Sequence, residues 1–183
     1  MKIDNYKRIN TLIIVLLIAV TIISGCKKSS DESEQNAKAV LDRVLNCSLQ
    51  EAGDFDALYA EMTEAETGHE PGISSINENE MKDYFQQQFG DSITDECLEQ
   101  MMKNRTCTLS MSLAKQYSSD IAAEEIQLER RSGEQVVFDF TARLMAVTDK
   151  EEAAYITGNI TMIYDESAWK ASGLTVKAED SVK

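Results

Sequence analysis

The chain has 183 residues, of which 32 are acidic and 18 basic, giving a formal net charge of −14. That length fits one domain that buries about 70% of its unfolded surface, so neither disulfide staples nor a structural metal is required to hold it. A surface this acidic repels phosphate backbones and excludes nucleic-acid binding. It also resists adsorption to anionic lipid and wall polymers.

Lys2, Lys7 and Arg8 precede a run from Leu12 to Ile23 that is apolar apart from Thr21. The run is shorter than the ~18 residues an ordinary membrane-spanning helix needs. It fits the central part of an export signal. It ends in Ile23-Ser24-Gly25-Cys26, which resembles the lipobox of bacterial lipoproteins. The resemblance implies that 1–25 is a removed signal peptide and that the Cys26 thiol accepts a diacylglyceryl group. The protein would then be lipid-anchored on the extracytoplasmic side of the cell membrane. Two acyl chains bury enough methylenes for stable anchoring, where one is marginal. Residues 26–35 are polar and charged and read as a flexible tether, followed by a domain over 36–178 and a tail at 179–183.

The first half of the domain has helical periodicity. Ala37, Val40, Leu41, Val44, Leu45 and Cys47 fall on one face, with a break expected at Gly53. Phe55, Leu58, Tyr59 and Met62 form a second stripe. A polar loop from Thr63 to Asn79 carries Pro71 and the single histidine, His69. Asn77 with Glu80 marks a helix start for the stripe Met81, Tyr84, Phe85 and Phe89, and Gly90 a stop. Ser92 with Asp95 matches a capping pattern ahead of Cys97, Leu98, Met101 and Met102.

The period then changes. Alternation of Cys107, Leu109, Met111 and Leu113 with Thr and Ser predicts a strand. Ile126 and Leu128 lie in a second, ended by a two-residue turn at Ser132-Gly133. Strands follow over 135–147, 154–164 and 169–176, joined by short turns at 148–151 and 165–167. Tight turns between neighbouring strands make an antiparallel meander. Helices first and a meander afterwards is an α+β order.

The closing segment Tyr164-Asp165-Glu166-Ser167-Ala168-Trp169-Lys170, with Gly173-Leu174 beyond it, resembles the end of small exported lipoproteins of the nuclear transport factor 2-like (cystatin-like) superfamily. That likeness covers roughly residues 36 to 178. It implies a cone fold, with N-terminal helices packed in the concave face of a curved antiparallel sheet, and no particular activity.

Strand faces bear on catalysis. Val136, Phe138, Phe140, Ala142, Leu144 and Ala146 share one apolar face, matched on the next strand by Ile156, Gly158, Ile160, Met162 and Tyr164. Gly158 is expected to let the sheet bend. Cone-fold isomerases and dehydratases place carboxylates, His or Tyr inside. Here only Tyr164 is offered, and a buried acid–base pair needs two titratable groups. Asp139 and Arg143 are expected to form a solvated ion pair on the outer face. His69, beside Glu70, has the pKa for neutral proton transfer but is a lone loop histidine. No second His stands at ligand spacing, so no metal site or cofactor is expected. Once Cys26 is acylated, Cys47, Cys97 and Cys107 remain. Cys97 and Cys107 are the best candidates for a disulfide, with buried reduced thiols the alternative. Met81, Met101, Met102 and Met111 with Tyr84, Phe85 and Phe89 either line an apolar pocket or fill the core.

The function expected is therefore a membrane-anchored, non-enzymatic domain binding a small apolar ligand or a protein. The alternatives are an isomerase- or hydrolase-type enzyme using Tyr164 and His69, and an accessory part of a membrane assembly.

Overall fold

The structure is a computed structural model that describes residues 31–64 and 78–179. Over these residues five helices precede a four-stranded antiparallel sheet, an α+β arrangement. No helix among the described residues is long and apolar enough to cross a membrane.

Helix α1 occupies 31–45 and buries Ser33, Ala37, Val40, Leu41, Val44 and Leu45, a stripe with helical spacing. It therefore reaches into the stretch expected to be a tether, where Ser33 is fully covered. The break comes at residues 46–48 and not at Gly53. Cys47 leaves the helix to form an antiparallel bridge with Ile121, and Ser48 Oγ then accepts the Glu51 N–H at 3.0 Å. Helix α2 (Leu49–Glu64) passes straight through Gly53, whose Cα has open space beside it. Such a glycine weakens a helix by only ~1 kcal/mol, less than packing restores.

Helix α3 (Glu78–Phe89) stacks Tyr84 and Phe85 on Phe55 of α2, with ring centroids 5.3 and 5.5 Å away. It stops at Gly90, where φ is +53°, a value glycine adopts without cost. Helix α4 (Asp95–Lys103) is capped by Thr94, whose hydroxyl accepts the Cys97 N–H at 3.2 Å. Ser92, the expected cap, donates instead to the Phe89 carbonyl.

The strand expected at 106–113 is not formed. Those residues make a 3-10 turn (Thr106–Thr108) and helix α5 (Leu109–Tyr117). The buried set there is Thr106, Cys107, Ser110, Met111 and Ala114, spaced by three and four, so the helical period wins over the alternation. The Ser110 hydroxyl donates to the Val44 carbonyl at 2.9 Å, which makes a polar residue an interior one.

The strands are β1 (Ile121–Arg130), β2 (Val136–Ala146), β3 (Glu151–Asp165) and β4 (Ala168–Glu179), in that spatial order. A five-residue connection at 131–135, and not a two-residue turn, joins β1 to β2. Both edges of the sheet are partly blocked by the helical half. Cys47 bridges Ile121 on β1, and Asn46 Oδ1 accepts the Ala123 N–H at 2.8 Å. Ile93 forms a parallel bridge with Ala171 on β4, where Thr94 N–H reaches the Ala171 carbonyl at 2.9 Å. Such capping and the irregularity between Glu124 and Gln127 blunt edges that would otherwise recruit another strand. Asn36 Nδ2 donates to the Trp169 carbonyl at 3.2 Å. Helix α1 thus runs from the corner where β4 starts to the opposite corner, where β1 starts.

Candidate functional site

One face of the sheet and the helices form a continuous apolar cluster. On the sheet side it contains Phe138, Phe140, Ala142, Leu144, Ala146, Ile156, Ile160, Met162, Ala171 and Leu174. Phe138, Leu144, Ile156 and Ile160 are at most 1% exposed, so none borders a water-sized void. Phe85, Phe89, Met101 and Met111 are buried in the same cluster, and Met81, Tyr84 and Met102 pack against it. The methionine-rich stripe is core filling. Gly158 is paired with Phe140 across the β2–β3 ladder, and a Cβ there would lie 2.8 Å from the Phe140 ring and clash with the Thr175 carbonyl. The glycine seats an aromatic ring; it does not open a hollow.

Tyr164 has the parity of the inner face but is 62% exposed, facing a hollow beside the start of α1. It pairs across the β3–β4 ladder with Trp169, edge to face, at 5.5 Å between centroids. The two strands turn through Glu166 and Ser167, both at positive φ, the geometry that follows the right-handed twist of a hairpin. Lys170 closes this turn, with Nζ 3.0 Å from Asp165 and 3.6 Å from Glu166. Its pKa is raised, chiefly by the hydrogen bond to Asp165. Between the aromatic pair and the first turns of α1 lies a hollow of about 210 Å³, lined by Glu32, Gln35, Asn36, Tyr164, Ser167, Ala168 and Trp169. The indole N–H of Trp169 is enclosed and meets no acceptor among the described residues. An unmet donor of this kind costs ~1–3 kcal/mol. Sequence reading placed Tyr164 inside and missed the hollow. The signal available was the spacing of Tyr164 and Trp169 about a four-residue turn, which makes them cross-strand partners.

A second hollow, of about 330 Å³, sits at the far corner around Arg43, Asn46, Cys47, Glu51 and Asp120. Its polar groups are committed to structure. Arg43 pairs with Glu51 at 2.6 Å, and Asp120 accepts the Leu49 N–H at 2.7 Å.

The other expected residues fall as follows. Asp139 and Arg143 do not pair with each other. Arg131 Nε donates to Asp139 at 2.7 Å and holds its carboxyl below the ordinary value. Arg143 reaches Glu125 at 2.8 Å and Glu124 at 3.7 Å on β1. The cross-strand neighbours are nearer than a residue four along the same strand. Cys47, Cys97 and Cys107 are free buried thiols, so the Cys97–Cys107 disulfide is not formed. Burial pushes Cys47 and Cys97 up to about 11 and Cys107 up to about 12, which keeps all three protonated and unreactive at neutral pH. Among the described residues no three His, Cys, Asp or Glu side chains converge as a metal set. Cys26 and His69 lie outside the described residues.

Comparison with protein-family models, with curated proteins and with solved structures found no match for this chain.

Proposed function

We propose that this chain is an exported lipoprotein, anchored through Cys26, whose cone-type domain works by binding a protein and not by catalysis. The observation that carries the reading is the chemistry of the interior. Cysteines aside, the buried polar residues among those described are Ser33, Thr106, Ser110 and Ser119, and none of them titrates. General acid–base work needs titratable groups whose surroundings split their pKa values, and a packed apolar interior supplies neither the groups nor room for a substrate. An apolar ligand is disfavoured for the same reason of space. What is left is the outer face of the sheet. There Val137, Thr141, Met145 and Tyr155 are half-exposed, and Val147 and Ile163 are more open still. The lipobox supports the anchor, and the helices-then-meander order supports the nuclear transport factor 2-like reading.

Two measurements test this. Metabolic labelling with palmitate is expected to mark the full chain and to fail on Cys26→Ser; equal labelling removes the anchor. A photo-crosslinking residue in place of Met145 is expected to yield a discrete adduct in intact cells, with none from Lys38 on the exposed side of α1. Adducts from Lys38 and none from Met145 or Val137 remove the outer face as the docking surface.

A further inference from the structure

We infer that the Tyr164–Trp169 hairpin end is the part of the domain that rests on the bilayer, with both rings at headgroup level; this rests on the anchor reading above. The tether sets the geometry. Cys26 lies five residues before residue 31, and five extended residues span at most roughly 18 Å. The eleven residues of β2 alone extend about 36 Å along the sheet. An anchored Cys26 therefore keeps the start of α1 within reach of the membrane and excludes the orientation in which the domain stands on its Ile121 end. Beside the start of α1 is the hollow of Glu32, Gln35 and Asn36 against Tyr164 and Trp169, and Asn36 is bonded to the Trp169 backbone. The membrane-facing end is thus identified by contacts within the fold.

The side chains there suit a zwitterionic lipid surface. Tyr164 is 62% exposed and Ile163 39%, and both stand at the end of β3 beside the turn. An exposed amphipathic Tyr ring favours the membrane–water interface, where its apolar body meets lipid and its hydroxyl meets water or headgroup, and Trp169 stands against it with its indole N–H enclosed. The headgroup layer is about 5–7 Å deep on each side, enough to take a tyrosine ring without burying a strand. Asp165 and Glu166 flank the rings and would oppose contact with anionic lipid. Lys170 offsets part of their charge from within 3.6 Å. No deeper insertion follows, because the carboxylates of the turn stay in water.

The chain carries a single tryptophan, so all indole emission reports on this end. The full chain, purified in its lipid-bearing form, is placed in phosphatidylcholine vesicles with bromine on shallow acyl carbons. Trp169 emission is expected to fall at least two-fold against unbrominated vesicles. Tyr164→Asp and Ile163→Asp, both at exposed positions, should restore at least half of the lost emission with an unchanged circular dichroism spectrum. Protein that floats with the vesicles yet keeps full emission overturns the inference and leaves the anchor standing. Protein that neither floats nor takes up palmitate overturns both. Quenching that is indifferent to Tyr164→Asp and Ile163→Asp also overturns it, since the indole would then approach lipid by another route.

Discussion

Along β2, Phe138, Phe140, Ala142 and Leu144 are 0–2% exposed, while Val137, Asp139, Thr141, Arg143 and Met145 keep part of their surface in water. The two sets alternate along one strand and differ only in which way the pleat turns them. The inner side chains are buried in the apolar cluster, so volume decides what is allowed. On the outer side charge pairs with charge, as Arg143 does with Glu125 across strands and Asp139 with Arg131 of the β1–β2 connection, and volume matters little. Packing therefore constrains one face of the segment and leaves the other open to the docking proposed above.

The largest test is Phe138→Ala. Removing a buried ring should cost ~3–5 kcal/mol in urea unfolding. A loss under ~1 kcal/mol would mean that the inner face is not the core. The thiols come next. Their folded pKa values of about 11 to 12 lie above the ordinary 9.0. A raised acid pKa means that the unfolded state releases its proton first, so the stability is fully present below pH 9 and is lost as pH rises from 9 toward 12. At pH 9.5 roughly 1 kcal/mol per thiol should be gone, read by thermal melts. Native protein with Cys26 acylated should resist thiol reagents at pH 8 and show three reactive thiols in denaturant; a count of one would restore the Cys97–Cys107 disulfide.

Gly158→Leu sharpens the comparison at the point where the two faces meet. With Phe140 seated on the glycine, the substitution should destabilise by ~1–3 kcal/mol or fail to fold. A neutral result would show that the interior has room, reopening a ligand pocket. The smallest effects belong to the outer face. Met145→Ser should change stability by no more than ~0.5 kcal/mol. Asp139, held below its ordinary pKa by Arg131, contributes above about pH 4 and loses that contribution as pH falls through its lowered value. Asp139→Asn should therefore flatten the acid limb of the melting curve slightly; a large change would mean that the pair is more than a solvated one.

The α+β order, the last three strands, the inner face of β2 and the Gly90 stop were all legible in the sequence, because each depends on a period or on a local backbone demand. Length and charge bounded the class for similar reasons. The tertiary structure decided the rest. Alternation at 106–113 is compatible with either a strand or a helix, and burial against α1 through Ser110 chose the helix. Asp139 found its partner in the β1–β2 connection and Arg143 on β1, which no single-strand pattern predicts. Tyr164 carried the inward parity, yet it borders a hollow beside α1 and stays exposed. Residues 31–35 have a polar, tether-like composition, yet they begin α1 and Ser33 is covered. Periodicity tells which way a side chain points along its own element; only the packed elements determine what, if anything, is waiting there.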